Sequence, residues 1–549
     1  MRRSSVLSIA AVSCLLFAAA AVKLNFHFAS AEAASQQNTL AVAPAAAPSS
    51  AKLSPVSTTT IKPSVGPAEL YTAHRGESIT TIAHQYLSRT SYLTSSQLAD
   101  AIRSGNKIEG NILKPGSQIT IPGILPAAIV EHTIPVAKDF EVRAIYLTGL
   151  MAASDHGLRI IRHWREVGGN AVVFDIKDSD GSVTIPFEHP LLGKHQVYIH
   201  DLPKFVHFLH SENMHAIARI AIFRDQRLVT EHPELAVQSK RSGQPWRENG
   251  KLVWTDPSNP KVQDYNIALA KFVAQSGADE IQFDYVRFPA EGDQKDAGFI
   301  FQKEQPNSDP AASAQGPCGD GRLGRPAEAK QGGTGTAMKG SRKSSNAGPC
   351  KPEAPRGPQR SDVITAFLKK AYGELHPTSV LLSLDVFGVM AWQRSVDLAH
   401  TGQDIVGMAH YCDVLSPMIY PSHFFGMDNI EHPGDAPEHF IGESMDRFEL
   451  ITKGSGVVIR PWLQAFHWRT KTYSSEYIKV QVATAHEKGG IGFLFWNAAN
   501  DYSKPFVAMP EMHEADVKQS PKEGSKNPKY FRGDELPAPP VRASLTTAN

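Results

Sequence analysis

The sequence predicts an α/β chain built as a (β/α)8 TIM barrel with a small βααβ module in front of it. Three observations carry that prediction. Eight apolar runs follow one another between residues 142 and 498. Most gaps between them hold a helical pattern, as βα units require. Within the runs, polar and apolar residues alternate as they must on strands with two different faces. An open doubly wound sheet is the competing arrangement, but the first unit lacks that fold's Gly-rich phosphate loop.

Taken in order, residues 1–31 open with Arg2 and Arg3, then an apolar run from Val6 to Val22 and small residues around Ala29-Ser30-Ala31. This is the pattern of an export signal, either cleaved or kept as a membrane anchor. Ala11-Val12-Ser13-Cys14 matches a lipidation box poorly. An exported protein is expected, periplasmic, cell-surface or extracellular. Residues 32–68 are rich in Ala, Pro, Ser and Thr and read as a flexible linker.

A compact block follows at 70–123. Tyr71–Ile79 reads as a strand and a turn. Ile79, Ile82, Ala83 and Tyr86 recur at helical spacing, a second helix fits Ser96–Ser104, and Leu113–Pro122 reads as a turn and a closing strand. With Gly76-Glu77-Ser78 early and Leu113-Lys114-Pro115-Gly116 late, this βααβ block resembles a LysM module. The resemblance implies binding of N-acetylglucosamine-containing glycans such as peptidoglycan or chitin. A purely structural module is the alternative.

The barrel is expected over 139–505, with strands at Val142–Leu150, Ala171–Ile176, Ile217–Phe223, Glu280–Phe288, Val380–Phe387, Asp413–Tyr420, Val457–Phe466 and Gly492–Ala498. Helical patterns between them include Leu158/Ile161/Trp164, Val262/Ile267/Leu269/Val273, Ile364/Phe367/Leu368/Ala371 and Ile478/Val482/Ala485. Asp256 is the expected cap of the second, ahead of Pro257. Residues 292–360, dominated by Gly, Pro, Ser, Lys and Ala, read as a disordered insertion, and 506–549 as a disordered tail.

Composition narrows the function classes. Lys+Arg is 56 and Asp+Glu 55, a net charge of +1, which gives no whole-chain case for nucleic acid. Four cysteines are too few for a disulfide scaffold; Cys318 and Cys350, both in Gly-Pro-Cys contexts, are a candidate pair, and Cys412 is expected free and buried. There is no HExxH, no GxSxG and no P-loop lysine, and the Asp178-Ser179-Asp180-Gly181 run lacks the closing Glu of a calcium loop. No metal and no obligatory cofactor are expected, and the chain is expected to be a monomer.

The chemistry lies in the alternation. Val172, Phe174 and Ile176 share one face of the second strand, with Asp175 and Lys177 on the other. The third strand sets Arg219 and Phe223 inward, the fourth Gln282 and Asp284, the fifth Ser383 and Asp385, and the seventh Arg460, Trp462 and Gln464. Inward carboxylates near the C-terminal ends of barrel strands mark an active site. A structural salt-bridge layer, Asp175 or Asp284 with Arg219 or Arg460, is the competing explanation. Paired carboxylates suit glycoside hydrolysis, and tryptophan rings complement sugar faces; all seven Trp fall between 164 and 496.

Several ordered segments then agree with one family: Ala144–Gly149, Asn170–Asp178, Glu280–Pro289, Asp385–Gly388, Ser416–His423, Arg460–Gln464 and Trp496-Asn497-Ala498. They resemble DUF4015, a bacterial family of glycoside-hydrolase-like barrels, over about 140–502. The resemblance implies a nucleophilic Asp at the end of the fourth strand, which is Asp284. Asp385 is the acid/base candidate, with Asp175 and Asp178 in reserve. Arg219 and Arg287 are candidates for holding carboxylates or an acidic sugar. Trp392, Tyr420, His423, Trp462, Gln464, Trp496 and Asn497 are candidate substrate contacts. The expected partner is a cell-wall or extracellular polysaccharide such as peptidoglycan. A non-catalytic glycan-binding protein is the rival reading. A metal-dependent deacetylase is weaker, because His207-Phe208-Leu209-His210 is a poor histidine pair.

Overall fold

A computed structural model of the chain describes residues 67–303 and 357–518, with side chains to 512. The signal region, Cys14 and the Cys318–Cys350 pair lie outside the described residues. No helix among the described residues is long and apolar enough to cross a membrane.

The small block runs β1 (Glu69–Thr72), α1 (Ile79–Tyr86), α2 (Ser95–Asn106) and β2 (Gln118–Ile121), with β1 and β2 antiparallel. Ser78 caps α1 through a reciprocal box with Thr81, and Thr94 caps α2. Ile79, Ile82, Leu98, Ile102, Ile119 and Ile121 close its core. The block is fastened to the barrel by Thr94 and Ser96 on Asp155, and by Lys204, whose ammonium donates to Leu87 O at 2.9 Å and Tyr92 O at 3.4 Å.

The barrel strands are β3 (Val142–Leu147), β4 (Ala171–Lys177), β5 (His215–Ala221), β6 (Glu280–Asp284), β7 (Leu381–Phe387), β8 (Val414–Ile419), β9 (Val458–Ile459), β10 (Trp462–Gln464) and β11 (Gly492–Trp496). All pair in parallel, and the β7–β8 and β11–β3 pairings close the ring. Counting β9 and β10 as the two halves of one strand, eight parallel strands close a TIM-type barrel. Helices α3 (Asp155–Glu166), α4 (Leu202–Ser211), α5 (Pro260–Gln275), α6 (Arg360–Leu375), α7 (Pro437–Thr452) and α8 (Ser475–Glu487) follow the strands. The odd-and-even alternation sorts as expected. Val172, Phe174, Ala218, Ile220, Ile281 and Phe283 pack outward, whereas Val142, Ala144, Tyr146, Val173, Ile217, Trp462 and Leu494 fill the interior.

The departures from the sequence pattern have local causes. The first strand stops at Leu147 because Thr148 caps a helical turn, Gly149–Ala152. The fourth stops at Asp284 because Tyr285 turns left-handed at φ +54°. The seventh breaks where Pro461 has no N–H to give the ladder. An irregularity between Asp175 and Lys177 turns Lys177 out of the inward series; its ammonium meets Asp225 at 2.7 Å and Asn266 at 2.9 Å. Phe223, beyond the end of β5, packs on Phe367 of α6.

Three boundaries also move. Asn259, not Asp256, caps α5, ahead of Pro260; the Asp256 carboxylate accepts instead from the Ser258 and Ile300 amides. Residues 292–303 are ordered, contrary to the expected insertion limit. Ala297–Gly298 pairs with Gln238–Ser239, and Phe299 and Phe301 pack edge-on against Phe288. The tail is ordered past 506 as well, in helix α9 (Ser503–Lys518), because Ala508, Met509 and Met512 bury one face while Pro510 lies on the exposed side. Cys412 is free and buried.

Candidate active site

The barrel interior holds two charged layers. In the lower one, Arg460 donates from Nη1 to both Glu280 oxygens, at 2.8 and 3.0 Å, and His215 Nε2 lies 3.1 Å from Glu280 Oε2. Burial alone would raise the Glu280 carboxyl, but Arg460 and His215 hold it down to about 2. Of the ion pairs the sequence allowed for, Arg460 takes neither Asp175 nor Asp284 but Glu280, whereas Arg219 takes both of those aspartates, one layer higher.

The upper layer gathers around Arg219. Its Nη1 donates to Asp175 Oδ1 at 2.5 Å, its Nη2 and Nε to Asp284 Oδ2 at 2.5 and 3.2 Å, and Nε lies 3.9 Å from Asp385 Oδ2. Three carboxylates thus share one guanidinium. Register explains the meeting: Asp175 pairs with Arg219 across β4–β5, Arg219 with Gln282 across β5–β6, and Phe283 with Leu384 across β6–β7, so Asp284 and Asp385 stand side by side.

Each carboxylate has a second anchor. Tyr146 hydroxyl donates to Asp175 Oδ2, Trp462 Nε1 to Asp385 Oδ1 at 2.6 Å, and the Tyr285 amide to Asp284 Oδ1 at 2.6 Å. Burial pushes Asp175 up to about 7, with Asp178 adding to it and Arg219 opposing. Burial, reinforced by the Asp284 charge, pushes Asp385 well above the usual carboxylate range. Of the three side chains Asp284 is the most open, 10% exposed against 1% for each of the others.

Trp496 stacks on Tyr146 at 4.1 Å, and the Arg219 guanidinium lies 5.2 Å from the Trp496 ring. Tyr420 is buried beside the cluster; burial and the Asp385 and Asp284 charges raise its hydroxyl well above the usual phenol value. Asp178, half-buried in the loop after β4, takes the Ser179 amide and adds its charge to the field at Asp175.

The structure therefore brings together Asp175, Asp284, Asp385, Arg219, Trp462 and Trp496, with Tyr420 and Asp178 at the margin. Five other candidates stand apart. Arg287 is buried against the rings of Trp254 and Phe387, each 4.5 Å away, and donates to Phe288 O. Trp392 packs on Phe424 and under Arg447 of α7. Gln464 accepts from the Ser422 amide and donates to Phe466 O and Trp468 O, and Asn497 donates to Ala465 O and Asp501 O; both hold loops. His423 is ringed by Tyr420, Phe466 and Trp468.

Two residues of the cluster escaped the sequence reading. Tyr146 shares the inward parity of Val142 and Ala144, a signal that could have found it. The left-handed Tyr285, which aims its amide at Asp284, carries none.

A family model described as "Putative glycosyl hydrolase domain" (DUF4015) matches residues 144–502. No curated protein matches the chain. Among solved structures, a hypothetical protein from Ruminiclostridium thermocellum is 29% identical, covering 44% of this chain and 97% of its own, with a TM-score of 0.32. The glycoside hydrolase domain of PgaB (BpsB) from Bordetella bronchiseptica is 13% identical over 70% of this chain and 100% of its own, at 0.44. The spore cortex-lytic enzyme SleL of Bacillus megaterium is 11% identical over 80% and 85%, at 0.35.

Proposed function

The chain belongs to the DUF4015 family of glycosyl hydrolase-like domains, and from that premise we propose that it hydrolyses glycosidic bonds of a cell-wall or extracellular polysaccharide with Asp284 and Asp385. The observation that carries this is the crowding of three carboxylates onto Arg219 at the C-terminal end of the strands. A structural ion pair needs one carboxylate per guanidinium, and each further buried charge is unfavourable unless it is protonated or used.

Asp385, kept protonated by burial and by Asp284, is the acid. It gives its proton to the leaving oxygen as Asp284, the most open of the three, attacks the anomeric carbon and the C–O bond breaks. Water then attacks the glycosyl–Asp284 ester, Asp385 takes the water's proton, and the sugar leaves. Asp284 and Asp385 stand on neighbouring strands, and their carboxylates lie 3.2 and 3.9 Å from the same Arg219 Nε. Asp175 holds Arg219 and Tyr146 in place, and the Trp496 face turned away from Tyr146 receives a sugar ring.

The βααβ order of residues 69–121 supports a LysM-like role for the small block, holding the barrel near N-acetylglucosamine-containing glycan, in a protein exported by residues 1–31. Reducing-sugar release from peptidoglycan, chitin and α- and β-linked glucans and galactosaminans tests the reading, with Asp284→Asn and Asp385→Asn beside the wild type. Release that both variants lose, with circular dichroism unchanged, is the expected result. The near-complete burial of Asp175 and Asp385 favours the rival, a glycan-binding protein; pull-down by a glycan with no release from any of the polymers would decide for it.

A further inference from the structure

Beyond the carboxylates, one rim of the barrel carries a cation that the hydrolytic steps do not use. The loop after β10 holds Trp468 and Arg469, and the loop after β8 holds Phe425. The exposed Arg469 guanidinium lies 4.0 Å from the Phe425 ring and 4.5 Å from the Trp468 ring, and it makes no ion pair among the described residues. Both rings are half-buried.

The surrounding loop is built to present it. Arg469 is left-handed at φ +48°, an unfavourable backbone for a long side chain. The Asp435 carboxylate is held by the residues that follow Arg469: it accepts from Thr470 Oγ1 at 2.9 Å, from the Lys471 amide at 2.6 Å and from the Thr472 amide at 3.1 Å. Gln464 Nε2 holds Phe466 O and Trp468 O from below. Gly434 fits under the Arg469 carbonyl only because it has no Cβ; one placed there would lie 2.2 Å from that oxygen. Ring contacts then lead back to the site, from Trp468 to His423 at 4.7 Å and from His423 to Tyr420 at 5.4 Å.

We propose that Arg469, with Phe425 and Trp468, is a subsite for a carboxylate carried by the polymer, so that the substrate is an acidic glycan. This rests on the reading of the barrel as a glycan-acting site. A guanidinium laid on two rings keeps its N–H edge toward solvent, and its planar fork matches a carboxylate in two parallel hydrogen bonds. The exposed Lys471 beside it adds the same sign of charge, while the ring faces suit the apolar side of a sugar. Two carbohydrate sources carry such a group: uronate residues of the polymer itself, and peptide carboxylates attached to peptidoglycan.

Affinity electrophoresis of the full chain separates them, with polygalacturonate against its carboxyl-reduced form and soluble peptidoglycan fragments against their amidated form. One of the two acidic polymers is expected to retard the wild type, and its neutralised counterpart to do so at least tenfold less. Arg469→Asn, which removes the charge with a residue that accepts the left-handed backbone, is expected to weaken retention about tenfold; Arg469→Lys, a charge without the fork, recovers part of it. Equal retention by acidic and neutralised polymers, or unchanged retention of Arg469→Asn, overturns the subsite. Carboxylate-dependent retention without any hydrolysis supports the subsite and counts only against the cleavage reading. Hydrolysis of neutral and acidic polymers alike does the reverse.

Discussion

Trp462 donates its indole N–H to Asp385 across 2.6 Å, joining two barrel strands whose residues lie 77 positions apart in the chain. The bond sits on the carboxyl assigned as the acid. It favours the ionised form, against the burial and the Asp284 charge that raise that group. Removing it in Trp462→Phe should leave Asp385 protonated to higher pH. The alkaline limb of the pH–rate profile is expected to move upward, and a limb that stays in place would show that Asp385 does not set it.

Asp284→Asn and Asp385→Asn should differ in kind. Loss of the nucleophile is expected to lower kcat by roughly 10³-fold or more on every substrate. Loss of the acid should cost about 10²–10⁴-fold on natural linkages; on aryl glycosides, whose leaving group needs no proton, kcat/KM should change little while kcat falls, because the second step still lacks its base. Steady-state kinetics on both substrate types read this directly; equal losses on both would reverse or cancel the two roles.

Arg219 neutralises a cluster that otherwise repels itself. Arg219→Met leaves buried carboxylates without their cation and is expected to destabilise the barrel by about 3–5 kcal/mol. Urea unfolding of this variant and of Asp175→Asn measures it, the second being the milder change because Asp284 keeps the guanidinium paired.

Asp175 gives stability a pH dependence of definite sign. Burial raises it from 3.8 to about 7. The folded chain thus keeps a proton that the unfolded chain has lost between those values. Its contribution is full below about pH 3.8 and falls as pH rises to about 7, by on the order of 4 kcal/mol. Asp175→Asn should flatten that part of the stability profile.

Glu280 acts in the opposite sense. It is lowered from 4.5 to about 2 despite burial, by Arg460 and His215. Its contribution is present above about pH 4.5 and is lost as pH falls toward 2. Glu280→Gln is expected to be less stable at neutral pH and to lose less on acidification, as thermal melts across that range would show.

The sequence by itself determined the barrel, the inward face of five of its strands and the placement of Asp175, Arg219, Asp284 and Asp385 near the strand ends. Alternation with period two and the helical spacing between runs are local properties, written in a few neighbouring residues. Tertiary structure decided the partners. Ring closure and strand register chose Arg219 for Asp175 and Asp284, and left Arg460 to Glu280, one layer below. It also turned Gln464 and Asn497 onto loop carbonyls, folded Arg287 between aromatic rings, and brought Tyr146 onto Asp175. The places where the backbone leaves regular geometry, after Asp175, at Tyr285 and at Pro461, break the alternation that the sequence reading extends. Hydrogen bonds between residues tens to hundreds of positions apart depend on which strands become neighbours and at what height, and no local pattern encodes either.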